Sequence, residues 1–346
     1  MVLNKKVLES TISELNKDKQ AQLLKEFISK SSDTDTKDVL KSKDEYEKIL
    51  INNLSTNFEN MEQAFIQFMF SQFYKYSSIF KVTKDEFNKR LETFDKKQYS
   101  SELIKYEIDI NEKAILILEE KAGVKLEGDQ PVKNTRMCGT LISLIKENNE
   151  NYLMISTESI PPHYRDNEST NYYIKKIDDQ RTWLERDLLL NLEPMDFENT
   201  IDCLRKDVGE KDFIVSAQSM NINSGAKATL DSASSQIVIL PILDEIKNLL
   251  IENEELFENA KKGYTVITDY IKELEEESEL PWVTLSFNRK IQVKFLFEIS
   301  TRKDYTLLNY YSEDNIKRQG REGMNDVAKT MLQRYSTFSS SFSKDS

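Results

Sequence analysis

The sequence predicts an α+β protein: an all-helical domain over residues 1–122, a mixed domain over 123–335 with antiparallel β-hairpins packed on helices, and a flexible tail at 336–346. Three observations carry this expectation. All eight glycines and all six prolines lie at or beyond Gly123, so the first 122 residues contain neither strong helix breaker. Apolar residues in that stretch recur at helical spacing. Beyond Gly123, short apolar and β-branched runs alternate with polar turns, which is the texture of hairpins.

The first helix is read from Leu15, Leu23, Leu24, Phe27 and Ile28, and the second from Ile49, Leu50 and Leu54. A third, over 57–80, carries Phe58, Met61, Phe65, Phe68, Met69 and Phe73 on one broad stripe, the pattern of a face that buries. The polar run "SKSSDTDTKD" at 29–38 separates elements, and Thr83 with Glu86 forms a capping box where a further helix should begin.

The stretch "IDINEKAILILEEK" (108–121) admits two readings. Asp109 and Glu112 stand in the i, i+3 relation of a capping box and Gly123 stands where a helix ending at Ala122 would want a left-handed residue, so the spacing predicts a helix. The competing reading takes "AILIL" as a strand. Glu119 and Lys121 would then share one side of it and meet Asp109 at a metal, as in metal-dependent nucleases.

After Gly123, "CGTLISLI" and "NYLMISTESI" joined by "KENNE" predict a hairpin, and "PPHYRDNEST" (161–170) a loop. Helices are expected at 179–192 and 196–208, then a strand at "DFIVSAQSM". The polar stretch at 221–235 contains "SGAKAT", but no second Gly precedes Lys227, so the phosphate-binding loop pattern fails. A long helix is expected from Pro241 to Gly263, with Lys261 and Lys262 in its last turn, followed by another over "YTVITDYIKELEEESE". The strand pair "WVTLSF" and "IQVKFLFEI" alternates apolar residues on one face, and a last helix is expected over 322–334.

A chain of 346 residues suits two domains at about 100–200 residues each. The N-terminus is interrupted by charges and lacks an export core, and "IVILPIL" is far shorter than a membrane span, so the sequence reads as cytosolic. Two cysteines, Cys138 and Cys203, and one histidine, His163, exclude a disulfide framework and multi-histidine metal sites. His163 is the one candidate for common general-base work. With no Gly-x-Gly-x-x-Gly and few glycines, no cofactor is expected.

The net charge of −12 argues against a surface that tracks phosphates throughout. Residues 242–283 hold 12 Asp/Glu against 4 Lys, whereas 289–346 hold 11 Lys/Arg against 7 Asp/Glu. The acidic segment is expected to receive a basic protein partner, with Glu273, Glu275, Glu276, Glu277 and Trp282 as contact candidates. Nucleic acid could be met only locally, through Arg289, Lys290, Lys317, Arg318 and Arg321.

On Pro281, Trp282, Thr284, Leu285 and Phe287, the acidic helix-then-hairpin segment resembles the end of the YezG-like immunity proteins. The resemblance implies neutralisation of a secreted toxin. With no catalytic site evident in the sequence, the expected role is binding, as an adaptor, immunity or host-defence accessory protein, with a metal-dependent nuclease using Asp109, Glu119 and Lys121 as the alternative.

Overall fold

The computed structural model describes residues 3–30, 45–83, 86–87, 89–90, 105–109, 114–165, 171–206, 213–221, 227–231, 246, 249–277, 279–287, 291–297, 304–311 and 316–342. The protein is α+β, with helices first and antiparallel strands after. The chain divides into two units: Met1–Glu193 with Lys317–Asp326, and Pro194–Ile316 with Val327–Ser346.

The first unit opens with four helices: α1 (Lys5–Glu14), α2 (Lys17–Lys30), α3 (Tyr46–Thr56) and α4 (Phe58–Ser71). Asn4 caps α1 by accepting from the Lys6 N–H at 3.1 Å, and Asn16 accepts from the Lys19 N–H at 2.9 Å at the start of α2. The helices pack on one another through Leu23, Leu24, Leu50, Leu54, Met61, Phe65 and Phe68, all fully buried. Met61, Phe65, Phe68 and Met69 of the stripe are therefore core, each contributing about 1.5–3 kcal/mol by leaving water, whereas Phe58 and Phe73 are half-buried and Phe73 lies beyond α4.

The helix expected to reach residue 80 stops at Ser71. Strand β1 (Tyr76–Val82) follows, and then β2 (Lys105–Asp109), β3 (Ala114–Glu127), β4 (Gln130–Glu147) and β5 (Glu150–Thr157). They form an antiparallel array in the order β2-β3-β4-β5-β1. The capped helix expected over 109–122 is thus overturned. Ala114 to Leu118 are all buried, so the strand is covered on both faces and shows no period-two pattern, while the absence of Gly and Pro suits a strand interior as well as a helix. Residues 122 and 123 both lie inside β3, opposite Thr135 and Asn134.

The expected hairpin of β4 and β5 is present, with left-handed Asn148 and Asn149 in its turn. A 3₁₀ turn spans Pro162–Tyr164, and α5 (Asn171–Asp187) packs on β5 and β1. The Phe87 N–H donates to the Thr83 carbonyl at 3.1 Å where the capping box was expected to begin a helix. The polar run at 31–38 and the loop at 166–170 lie outside the described residues.

The second unit carries β6 (Glu193–Pro194, at its boundary), α6 (Glu198–Lys206), β7 (Phe213–Asn221), β8 (Lys227–Asp231), α7 (Lys261–Glu277), β9 (Glu279–Phe287), β10 (Ile291–Leu296) and β11 (Leu307–Tyr311). Its strands run antiparallel in the order β11-β10-β9-β7-β8. In β10, Ile291, Val293 and Phe295 are buried and alternate with half-buried residues, as the pattern predicts. Asp196 caps α6 by accepting from the Glu198 N–H at 3.0 Å, and the Thr306 hydroxyl also donates to it at 3.1 Å.

Three expectations here are corrected. No helix stops at Gly263: a 3₁₀ segment over Glu254–Ala260 precedes α7, and Lys261 and Lys262 begin that helix. Residues 227–231, expected as loop, form β8, with Lys227 at its start. Helix α8 (Ile316–Phe342) covers the helix expected at 322–334, and its residues 336–342 continue as helix where a flexible tail was expected.

Candidate functional site

Alternation along β3 sends Glu119 and Lys121 to the same side, as the strand reading requires. Lys121 Nζ lies 3.2 Å from Glu119 Oε1, and Lys176 Nζ of α5 lies 3.5 Å from the same oxygen. The Asp109 backbone stands farther along the sheet. It pairs with Ala114 in the β2–β3 register, five residues from Glu119, or about 17 Å along the strand. The Glu119 carboxylate is held by two ammonium groups. Among the described residues, no group of three or more His, Cys, Asp or Glu side chains is placed to hold a metal ion.

Burial alone would raise the Glu119 pKa, but Lys176 and then Lys121 overcome it and hold the carboxyl below its ordinary value. A depressed carboxylate contributes stability above its unfolded pKa of about 4.3, and that contribution is lost as pH falls through the lower folded value. Glu119→Gln should cost about 2 kcal/mol at pH 7. It should also flatten the loss of stability between neutral and acid pH, read as urea midpoints of variant and parent.

Next to this pair, on the same face, β4 presents Arg136 opposite Lys121 and Cys138 opposite Glu119. Arg136 Nη2 sits 2.8 Å from Glu158 Oε2, and Arg136 Nη1 sits 3.8 Å from Glu14 Oε2 at the end of α1. The other Glu158 oxygen accepts from the Gly139 N–H at 2.8 Å. Glu14 Oε1 accepts from Asn134 Nδ2 at 2.8 Å and from the Tyr164 hydroxyl at 2.6 Å. Three cations, Lys121, Arg136 and Lys176, thus meet three anions, Glu14, Glu119 and Glu158. The cluster ties α1, the 162–164 turn and α5 to the sheet.

His163 Nε2 lies 4.0 Å from Glu14 Oε1, and its ring packs on Tyr164 with centroids 4.2 Å apart. Gly123 makes that turn possible, because a Cβ at this position would stand 2.3 Å from the His163 carbonyl oxygen. Burial pushes the Cys138 thiol up to about 12, so it stays protonated at neutral pH and is a poor nucleophile for any base. Cys203 is a half-buried thiol. Elsewhere, a groove of about 450 Å³ at the β4–β5 turn is lined by Lys81, Lys146, Asn149, Glu150, Asn151 and Asn191, with Lys81 and Glu150 already paired at 3.1 Å. It is a polar surface feature, unlike the mostly apolar clefts that take small ligands.

Of the residues expected to touch phosphate, Arg321 is only 9% exposed and so cannot serve a surface contact. Lys317 and Arg318 lie on α8, and Arg289 and Lys290 fall outside the described residues. Trp282 is half-buried, and Lys294 Nζ stands 3.5 Å from its ring centroid across the β9–β10 hairpin, so a cation covers one face of the indole. Glu273, Glu275, Glu276 and Glu277 occupy the last turns of α7.

The surface that sequence reasoning missed is on the same helix. Ile271 is buried and Tyr264 and Thr268 are half-buried, so one edge of α7 faces inward. Beside that edge, Gly263, Val266, Ile267 and Tyr270 stand at i, i+3, i+4 and i+7, and all are exposed, Val266 by 67% and Tyr270 by 58%. Leu249, Ile251 and Leu256 are exposed on the segment leading into the helix. The signal was in the sequence: the apolar stripe of α7 is wider than one buried edge needs. No helix among the described residues is long and apolar enough to cross a membrane.

No protein-family model, curated protein or solved structure matches the chain, and the resemblance at Pro281–Phe287 has no family match beside it.

Proposed function

We propose that the chain is a soluble cytosolic binding protein, an adaptor or an immunity or host-defence accessory protein, that engages a protein partner through α7. The exposed stripe of Val266, Ile267 and Tyr270 carries this reading. Grouped apolar side chains left in water on a helix are the mark of an interaction site rather than of scattered surface residues. The acidic residues that surround the stripe call for a basic rim on the partner and speed encounter more than they tighten binding. The charged cluster of β3 and β4 is closed on itself and acts as a structural tie.

A photo-crosslinking residue at position 270, introduced in the full chain in its native cells, should give a discrete adduct that the same residue at exposed position 258 does not. Val266→Asp with Ile267→Asp should abolish the adduct and leave the circular dichroism spectrum unchanged. Absence of any adduct at 270, or Mg2+-dependent cleavage of DNA or RNA that disappears in Glu119→Gln, would overturn the reading.

A further inference from the structure

We infer that the partner covering α7 is a second copy of this chain, with the two α7 helices packed antiparallel. The inference rests on the binding reading above and names the occupant.

The charges of α7 run against its own dipole. A helix favours anions at its N-terminus and cations at its C-terminus. Here Lys261 and Lys262 open the helix, both exposed, with no acidic residue in the first turn. Glu273, Glu275, Glu276 and Glu277 close it by sequence, with no basic residue in the last turn. Each end is unfavourable for a lone helix. An antiparallel neighbour reverses both dipole and charge order, so the Lys261–Lys262 end of one copy meets the acidic end of the other, twice by symmetry. The basic rim that the acidic segment calls for is thus present on the chain itself.

The apolar stripe fits the same arrangement. Gly263, Val266, Ile267 and Tyr270 form one seam along the helix, and a Cβ built at Gly263 would meet nothing, so another helix can approach closely there. A 17-residue helix is about 25 Å long, so the pair buries less than the roughly 1,200 Å² of a standard interface. The dimer therefore belongs with the small, transient interfaces.

Sedimentation velocity on the full chain, over about 1 to 200 μM in about 0.15 M salt, should show concentration-dependent dimer. Lys262→Glu in one preparation, and Glu273→Lys in another, the charges that flank the seam at its two ends, should each weaken self-association at least about tenfold, or about 1.4 kcal/mol. Mixing the two should restore a heterodimer, because both end contacts become attractive again. A monomeric parent across that range, or a mixture no tighter than its components, would overturn the inference. If the parent is monomeric while the position-270 adduct contains a different protein, this inference falls and the binding reading stands; with neither dimer nor adduct, both fall.

Discussion

Arg136→Ala should be among the most destabilising substitutions in the first unit, costing about 3–5 kcal/mol, because it leaves buried carboxylates without their cation. Arg136 and Glu158 are nearly inaccessible to water, and one Glu158 oxygen is already committed to the Gly139 N–H. Without the guanidinium, Glu158 loses the hydrogen bond from Nη2 and its nearest cation, and Lys19 remains as a more distant positive charge. Glu14 loses a neighbouring positive charge at the same time. A loss of this size consumes much of the 5–15 kcal/mol that holds a typical domain. Arg136→Lys keeps the charge but cannot reach Glu14 and Glu158 with separate nitrogens, so it should fall between variant and parent. The paired change Arg136→Met with Glu158→Gln should recover part of the loss, since it removes the unbalanced charge. Urea midpoints of the four proteins test this. A cost below about 1 kcal/mol for Arg136→Ala would mean that the pair behaves like a solvated surface pair and is not what ties α1 to the sheet.

The same cluster shows how far the sequence could be read. Glu119 and Lys121 were legible as a pair because the strand period of two puts them on one side wherever β3 is extended. Their partners were not, because Glu14, Arg136, Glu158 and Lys176 lie far apart in the chain and only the β3–β4–β5 register and the docking of α1 and α5 bring them together. The hairpin of β9 and β10 was readable since one face of β10 is only partly covered and imprints an alternation on the residues. Strand β3 was not, since both of its faces are buried and its apolar run carries no period that separates strand from helix. Gly263 reads as a helix stop because Gly commonly ends helices, yet in the fold it sits in the first turn of α7, on the exposed seam. That misplacement also assigned Lys261 and Lys262 to the favourable end of a helix, which concealed the reversed charge order of α7.

Gly320→Ala should cost about 3 kcal/mol or more, from two causes. The first is conformational. Gly320 breaks the helical geometry of α8 at φ 54°, ψ −133°, a region that residues with a Cβ rarely enter and that costs about 1–3 kcal/mol. The second is steric. A Cβ at 320 would stand 2.3 Å from the carbonyl oxygen of Ser71, the last residue of α4, and both are backbone positions with little room to give. The junction is fixed further by Met324, whose Sδ accepts from the Tyr74 N–H at 3.2 Å, so the kink cannot simply slide away. Gly128 supplies the control. It also has a positive φ, 64°, at the tip of the β3–β4 hairpin, but nothing lies within 4 Å of a Cβ there. Gly128→Ala should therefore show the conformational part alone, about 1 kcal/mol. The excess of Gly320→Ala over Gly128→Ala, measured as the difference in urea midpoints, reports the close approach of Gly320 to Ser71 together with the more restricted backbone of Gly320. Equal costs for the two would mean that Ser71 moves aside and that the kink at 320 serves only to turn the chain.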